Sequence, residues 1–265
     1  RNTEARGDAL AVIDVKGGYV PDTEGTDSIE TRLGTVTAVV NTVKNDLRLN
    51  SSYGAAYYPW VTVRDDTNGT FVKMPPSVVA LGAMSYTDRV QAPWFAPAGF
   101  NRGGLSSGVS GLPVVSTALK LFKDDRDDLY EAGINPIAKF PAEGIVIFGQ
   151  KTLQQTASAL DRINVRRLMI FLKREISFIA SRLLFGPNVP ATWANFTSQA
   201  GPLLSSVKAQ FGIDDFKLVL DETTTTPDLV DRNIIYAKLF IKPTRSVEYF
   251  AIDFIVTRSG ASFED

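Results

Sequence analysis

Ile134-Asn135-Pro136-Ile137-Ala138-Lys139-Phe140, followed after a short break by Gly144-Ile145-Val146-Ile147-Phe148-Gly149, forms two apolar runs bounded by turn residues. Short apolar runs of this kind are the pattern of buried strands. Directly before them, Asp124 to Ala132 reads as a short helix that Gly133 ends. Ala9 to Val15 is another buried-strand pattern, followed by a Gly-containing acidic loop from Gly17 to Asp27 and a helical stretch from Ile29 to Leu47. Tyr53 to Val63 is aromatic and β-branched and reads as a strand. Asp66-Thr67-Asn68-Gly69-Thr70 carries the Asn-Gly signature of a hairpin turn into Phe71 and Val72. Pro75 and Pro76 open a helix expected to end near Val90, since proline is tolerated in a first helical turn. Strands alternating with helices over the first 150 or so residues predict an α/β layered fold.

The texture changes after Gln150. Asn164 to Phe185 is predicted as one long helix, with Leu168, Leu172, Ile176, Ile179 and Leu183 as its core-facing stripe. Arg162, Arg166 and Lys173 fall on another side, with Arg167 and Arg174 farther round, so the helix has a basic flank. Such a flank is either a solvated face or a docking ridge for an acidic partner. Gly186-Pro187-Asn188 stops this helix, and Ala191 to Phe211 reads as a second one interrupted at Gly201-Pro202. Phe216 to Leu220 is a strand and Thr223 to Thr226 a loop. The predicted organisation is an α/β domain over residues 1–152 and a smaller α+β domain over residues 153–265.

The chain closes on two apolar runs, Ile234 to Lys242 and Val247 to Thr257, joined by Pro243-Thr244-Arg245-Ser246. In the second run Phe250, Ile252, Phe254 and Val256 share one face, and Glu248 and Arg258 bracket that face. An apolar strand near a chain end exposes unpaired backbone groups unless it is covered, charged or paired with another chain. Val247, Tyr249, Phe250, Ile252, Phe254 and Val256 are therefore the candidates for strand pairing between subunits.

Composition narrows the chemistry. The chain has no histidine and no cysteine, which removes Ser-His-Asp and Cys-His catalysis, thiol nucleophiles and His- or Cys-ligated metal. A formal charge of -1 provides no global field for nucleic acid or anionic lipid. The most apolar long stretch, Leu168 to Phe185, is broken by Lys173, Arg174, Glu175 and Arg182, so no membrane insertion is expected. The chain opens on Arg1 with Asn2, Thr3, Glu4 and Arg6, neither a signal peptide nor a natural start, and reads as a piece of a longer protein.

The remaining motifs are weak. Gln91 to Gly111 is irregular, with Trp94 and Phe95 embedded in it, and its glycines lack the Gly-Lys-Ser/Thr ending of a phosphate loop. Asp124-Asp125-Arg126-Asp127-Asp128 lacks the spacing of a calcium loop and fits acidic residues at a helix start. No cofactor is expected.

Several blocks resemble the tail sheath proteins of contractile-tailed bacteriophages. They are Ser52 to Trp60, Met74 to Met84, Ala92 to Gly99, Leu129 to Pro136, Ile145 to Leu153, Asn164 to Phe171 and the closing Phe254 to Phe263, in the family's order across nearly the whole chain. The resemblance implies a middle domain of subtilisin-like fold without catalytic residues, a smaller C-terminal sheath domain, and an N-terminal arm lying outside this chain. It further implies terminal arms that add strands to neighbouring subunits. The implied partners are other sheath subunits, the tail tube protein, and baseplate and tail terminator proteins, in a virion tail assembled in the host cytoplasm. An inward-facing C-terminal domain would direct the flank of Arg166, Arg167, Lys173 and Arg174 at the tube. The alternatives are a static shell or baseplate subunit, or a His-free hydrolytic enzyme using Asp124, Asp128 and Glu131.

Overall fold

The computed structural model describes residues 2–15, 34–106 and 113–249. Its centre is a four-stranded sheet in the order β1 (Ala11–Asp14), β2 (Gly54–Tyr58), β6 (Ile134–Phe140) and β7 (Gly144–Ile147). The first three are parallel and β7 returns antiparallel beside β6. All five residues of β2 are buried, and their alternation divides them between two cores. Ala55 and Tyr57 join Val79, Ala83, Ile137 and Ile147 on one face, where the Pro76–Val90 helix packs. Ala56 and Tyr58 join Val39, Leu129, Ile134 and Leu153 on the other, under the Val36–Asn41 and Lys123–Glu131 helices. Helices on both faces explain why these strands read as continuous apolar runs. The mixed α/β reading of the sequence holds.

One aromatic run is two strands. The stretch from Tyr53 to Val63 turns at Pro59-Trp60, so β2 ends at Tyr58 and β3 (Val61–Asp65) enters a second sheet of order β4-β3-β5. Proline has no N–H to continue a ladder, and it lies where the chain leaves the first sheet. Strand β4 (Thr70–Met74) follows a four-residue turn closed by Gly69 N–H donating to Asp65 O at 2.8 Å, with Gly69 at φ +69°. Strand β5 (Val114–Thr117) lies outside every stretch that the sequence marks as a strand.

The Pro76–Val90 helix ends where its sequence predicts. Its first turn is capped from far away: Asp14, the last residue of β1, accepts from Ser77 N at 2.8 Å and Ser77 Oγ at 2.7 Å. Acidic groups favour helix N-termini for the same electrostatic reason at the Lys123–Glu131 helix, where Asp125 accepts from Phe122 N at 2.9 Å.

In the C-terminal part the Ile163–Ser181 helix stops four residues earlier than predicted, in a tightening turn in which Leu183 N–H donates to Ala180 O. The second helix, Pro190–Ala209, is continuous through Gly201-Pro202. Trp193, Phe196, Ala200, Leu204 and Val207 form one buried stripe through that point, while Pro202 lies on the exposed side. Packing of the stripe therefore outweighs the missing hydrogen bond. These helices enclose a third core of Leu168, Leu172, Leu204, Val207 and Ile213 with β8 (Ile213–Val219), and Trp94 enters it from the long loop. Trp94 Nε1 donates to Gln210 O at 3.0 Å. Strand β9 (Lys238–Pro243) pairs antiparallel with β8. The predicted strand from Ile234 to Lys242 is thus shorter at its start.

Burial raises both tyrosines of β2, with Tyr58 pushed up to about 12 from the ordinary value near 10. A raised folded value favours the neutral phenol, so this contribution is complete below about pH 10 and is lost as pH rises toward 12. We predict that unfolding free energy falls above about pH 10 by ~1.4 kcal/mol per pH unit for each such tyrosine. Tyr58 Oη is buried with no hydrogen-bond partner among the described residues, so Tyr58→Phe should be neutral or stabilising by about 1 kcal/mol and should flatten the alkaline loss. Urea titrations of both proteins from pH 8 to 12 check this; destabilisation by Tyr58→Phe at pH 8 would refute it.

Candidate functional site

The site grows from Asn135. Its Oδ1 accepts from Lys151 N at 2.7 Å, and its Nδ2 donates to Lys151 O at 2.8 Å and Ala56 O at 3.0 Å. The side chain thereby pairs with residue 151 as a neighbouring strand would. Gly149 makes the close approach possible, because a Cβ there would lie 2.9 Å from Asn135 Oδ1. Gln150 O accepts from Ile163 N at 2.8 Å, and Lys151 bridges to Arg162. The start of the Ile163–Ser181 helix is thus tied to the edge of β6.

Arg162, placed by these contacts, holds the C-terminal segment. Its Nε and Nη2 donate to the two carboxylate oxygens of Glu248 at 2.6 and 2.9 Å. Gln150 Nε2 adds a bond to Glu248 at 3.3 Å, and Asp161 lies 3.1 Å from Arg162. Both partners are largely shielded, with side-chain exposures of 28% and 16%. A bidentate pair in such surroundings is geometrically selective. Burial alone would lower the Arg162 pKa, but the hydrogen bond and charge of Glu248 raise it overall. Burial, then the Glu248 charge, pushes the Tyr130 phenol up. Lys151, whose Nζ lies 4.3 Å from the centre of the Tyr130 ring, is lowered by burial and then by the Arg162 charge.

This segment crosses a cleft of about 650 Å³ between the Trp94–Arg102 loop, the Lys123–Glu131 helix and the end of β7. Phe100, Phe140 and Phe148 stack at one edge, with ring centres 4.9 to 5.6 Å apart. Asn164 Nδ2 donates to Ser246 Oγ at 3.1 Å, and Thr244 Oγ1 to Asp214 Oδ1 at 2.7 Å.

Of the strand candidates, Val247 and Tyr249 are 80% and 83% exposed and pair with no strand among the described residues. Thr244, Ser246 and Glu248 are held by side-chain bonds, and Thr244 N donates to Gly212 O at 3.2 Å. Phe250, Ile252, Phe254 and Val256 lie outside the described residues.

The basic flank is not one surface. Arg166 is buried, donates to Ser52 Oγ and lies with Cζ 3.9 Å from the centre of the Tyr53 ring. Arg167 is paired with Asp88 and its side chain is 11% exposed. Lys173 is exposed and donates to Arg6 O at 3.0 Å, and Arg174, 71% exposed, is paired with Glu175 at 2.9 Å. Angular position on a helix wheel says nothing of what packs against it; here β2's approach and the Asn2–Arg6 helix cover the flank. Asp124, Asp128 and Glu131 lie on the exposed side of their helix, with no cluster fit for a metal among the described residues.

The Arg162–Glu248 pair escaped sequence reasoning because its partners are 86 residues apart. The one available signal was a charge placed in phase with the apolar face of the terminal run.

Residues 155–257 match the phage tail sheath C-terminal domain. Over 262 residues the chain is 31% identical to the tail sheath protein of Enterobacteria phage T4, covering 99% of this chain and 39% of that protein. The chain belongs to the phage tail sheath family. Over 184 residues it is 41% identical to the tail sheath protein of Vibrio phage KVP40, covering 69% of this chain and 26% of that protein. The chain thus spans well under half the length of these curated relatives. Its fold is shared with a chain of the anti-feeding prophage baseplate, with a TM-score of 0.73, 20% identity, and 97% of this chain and 63% of that one covered. The PVC sheath complex of an extracellular contractile injection system, in its contracted state, follows at 0.71 and 23% identity, covering 93% and 63%.

Within this sheath chain, we predict that Arg166→Ala costs about 2 to 3 kcal/mol through lost ring and Ser52 contacts, whereas Arg174→Ala stays within ~0.5 kcal/mol. Urea unfolding of the two variants compares them; equal effects would contradict the assignment of Arg166 to the interior.

Proposed function

We propose that the chain is the middle and C-terminal part of a contractile tail sheath subunit. The subunit is structural, not enzymatic; it polymerises helically around the tail tube and contracts to drive the tube through the host envelope for genome delivery. In this reading residues 1–152 form an α/β domain of subtilisin-like arrangement without catalytic residues, and residues 153–265 a smaller sheath domain. The parallel β1-β2-β6 core with helices on both faces supports the first part. The neighbours of each subunit are further sheath subunits and the tube protein, with baseplate and terminator proteins at the ends. The working place is the virion tail, after assembly in the host cytoplasm.

One observation carries the assembly mechanism. The described residues end on an anchored segment with exposed Val247 and Tyr249 at the start of the alternating run, while β8 and β9 pair with no third strand among the described residues. Subunits that move without dissociating need tethers that survive rearrangement, and strand addition supplies backbone bonds largely independent of side-chain identity. The run Val247 to Thr257 is the donated strand, and the β8–β9 sheet of a neighbour receives it.

Deleting residues 247–265 from the full-length subunit should abolish helical polysheaths in electron micrographs, while normal sheaths would refute strand donation.

The tube contact falls to Lys173 and Arg174, the two members of the flank that are not packed inside. Reversing both to Glu should weaken assembly on tubes several-fold, more at low salt than at high, because exposed charges are screened within about 10 Å at 0.1 M salt. Unchanged cosedimentation with tubes at both salt concentrations would rule the contact out.

A further inference from the structure

Three alternate residues of the terminal segment bond to the body of the molecule, although Ser246 is itself exposed. Thr244 bonds Asp214 at 2.7 Å, Ser246 accepts from Asn164 at 3.1 Å, and Glu248 accepts two bonds from Arg162. Arg245, Val247 and Tyr249 between and beyond them are exposed. Extended backbone sends successive side chains to opposite sides. A strand continuing this phase carries Phe250, Ile252, Phe254 and Val256 on the Glu248 side, and Ala251, Asp253 and Ile255 on the Val247 side. The apolar face of the terminal run and the Glu248 carboxylate therefore share one phase. A slip by one residue would set Val247 or Tyr249 against Arg162, remove the bidentate acceptor from a largely shielded guanidinium, and turn every apolar side chain over.

We infer that the Arg162–Glu248 pair is the register key of the donated strand: it fixes which face the terminal run offers to the β8–β9 sheet of a second copy. This rests on the strand-donation reading above. The pair acts by positioning: Glu248 lies at the root of the run, and Arg162 holds its carboxylate. A mobile root would let the run present either face. Here, by contrast, the root is tied to the rigid edge of β6 through Gln150, Lys151 and Asn135.

The test uses full-length subunits. Inserting one glycine after Tyr249 should cut polysheath yield at least tenfold, whereas inserting two residues, which restores the phase, should retain most of it. Adding Glu248→Gln to the one-residue insertion should recover assembly, because a freed root can slip into phase. Full assembly of the one-residue insertion, or no recovery on adding Glu248→Gln, overturns the register role. Trypsin cleavage after Arg245 reads the anchor without assembly: Glu248→Gln should accelerate it about tenfold, and the swap Arg162→Glu with Glu248→Arg should restore protection. An unchanged cleavage rate refutes the anchor. If instead the 247–265 deletion assembles normally, the donation reading itself fails, which separates the two outcomes.

Discussion

The buried amide of Asn135 is the joint on which the rest of the molecule turns. A buried side chain near the start of a central strand normally packs; this one forms hydrogen bonds to Ala56 and to both backbone groups of Lys151. Replacing it with an apolar residue would strand three backbone partners in the interior, each at a cost of about 1 to 3 kcal/mol. That constraint forces Gly149, because no Cβ fits against the amide. It also delivers Gln150 to Ile163 and Lys151 to Arg162, so the long C-terminal helix starts at a fixed point on the sheet edge. From there a chain of polar contacts reaches Glu248, nearly one hundred residues farther along.

The sheet was legible where burial alone decides structure. Runs such as Ile134 to Phe140 and Gly144 to Ile147 are apolar because both faces are covered. Tyr53 to Val63 reads as one strand for a related reason: β2, buried on both faces, and β3, buried on one, are joined without a polar gap, and the turn is marked only by Pro59. Gly201-Pro202 misled in the opposite direction. Local propensity argues for a break there, but the buried stripe from Trp193 to Val207 makes a continuous helix the better bargain.

The candidate surface was less legible, because it depends on which charges are covered. Arg166 and Lys173 have the same periodic position, yet one lies against the Tyr53 ring and the other reaches the carbonyl of Arg6. Periodicity reports direction from a helix axis, not the identity of the neighbour. The Arg162–Glu248 pair shows the limit more sharply, since two ordinary charges 86 residues apart carry no local pattern.

Strand exchange in a moving assembly imposes two demands that oppose each other. The donated strand must leave its own subunit, which argues for few contacts near its root, yet it must arrive in one register, which argues for a fixed root. A hydrophobic root would satisfy the second demand and compete with the acceptor for the same apolar face. A bidentate ion pair does not compete. It is directional, so it sets phase, and it holds a side chain that the acceptor sheet has no use for. Val247 and Tyr249 stay exposed beside it. In the proposed strand donation, charge at the root and hydrophobicity along the strand divide the work: the first chooses the register, and the second supplies the affinity.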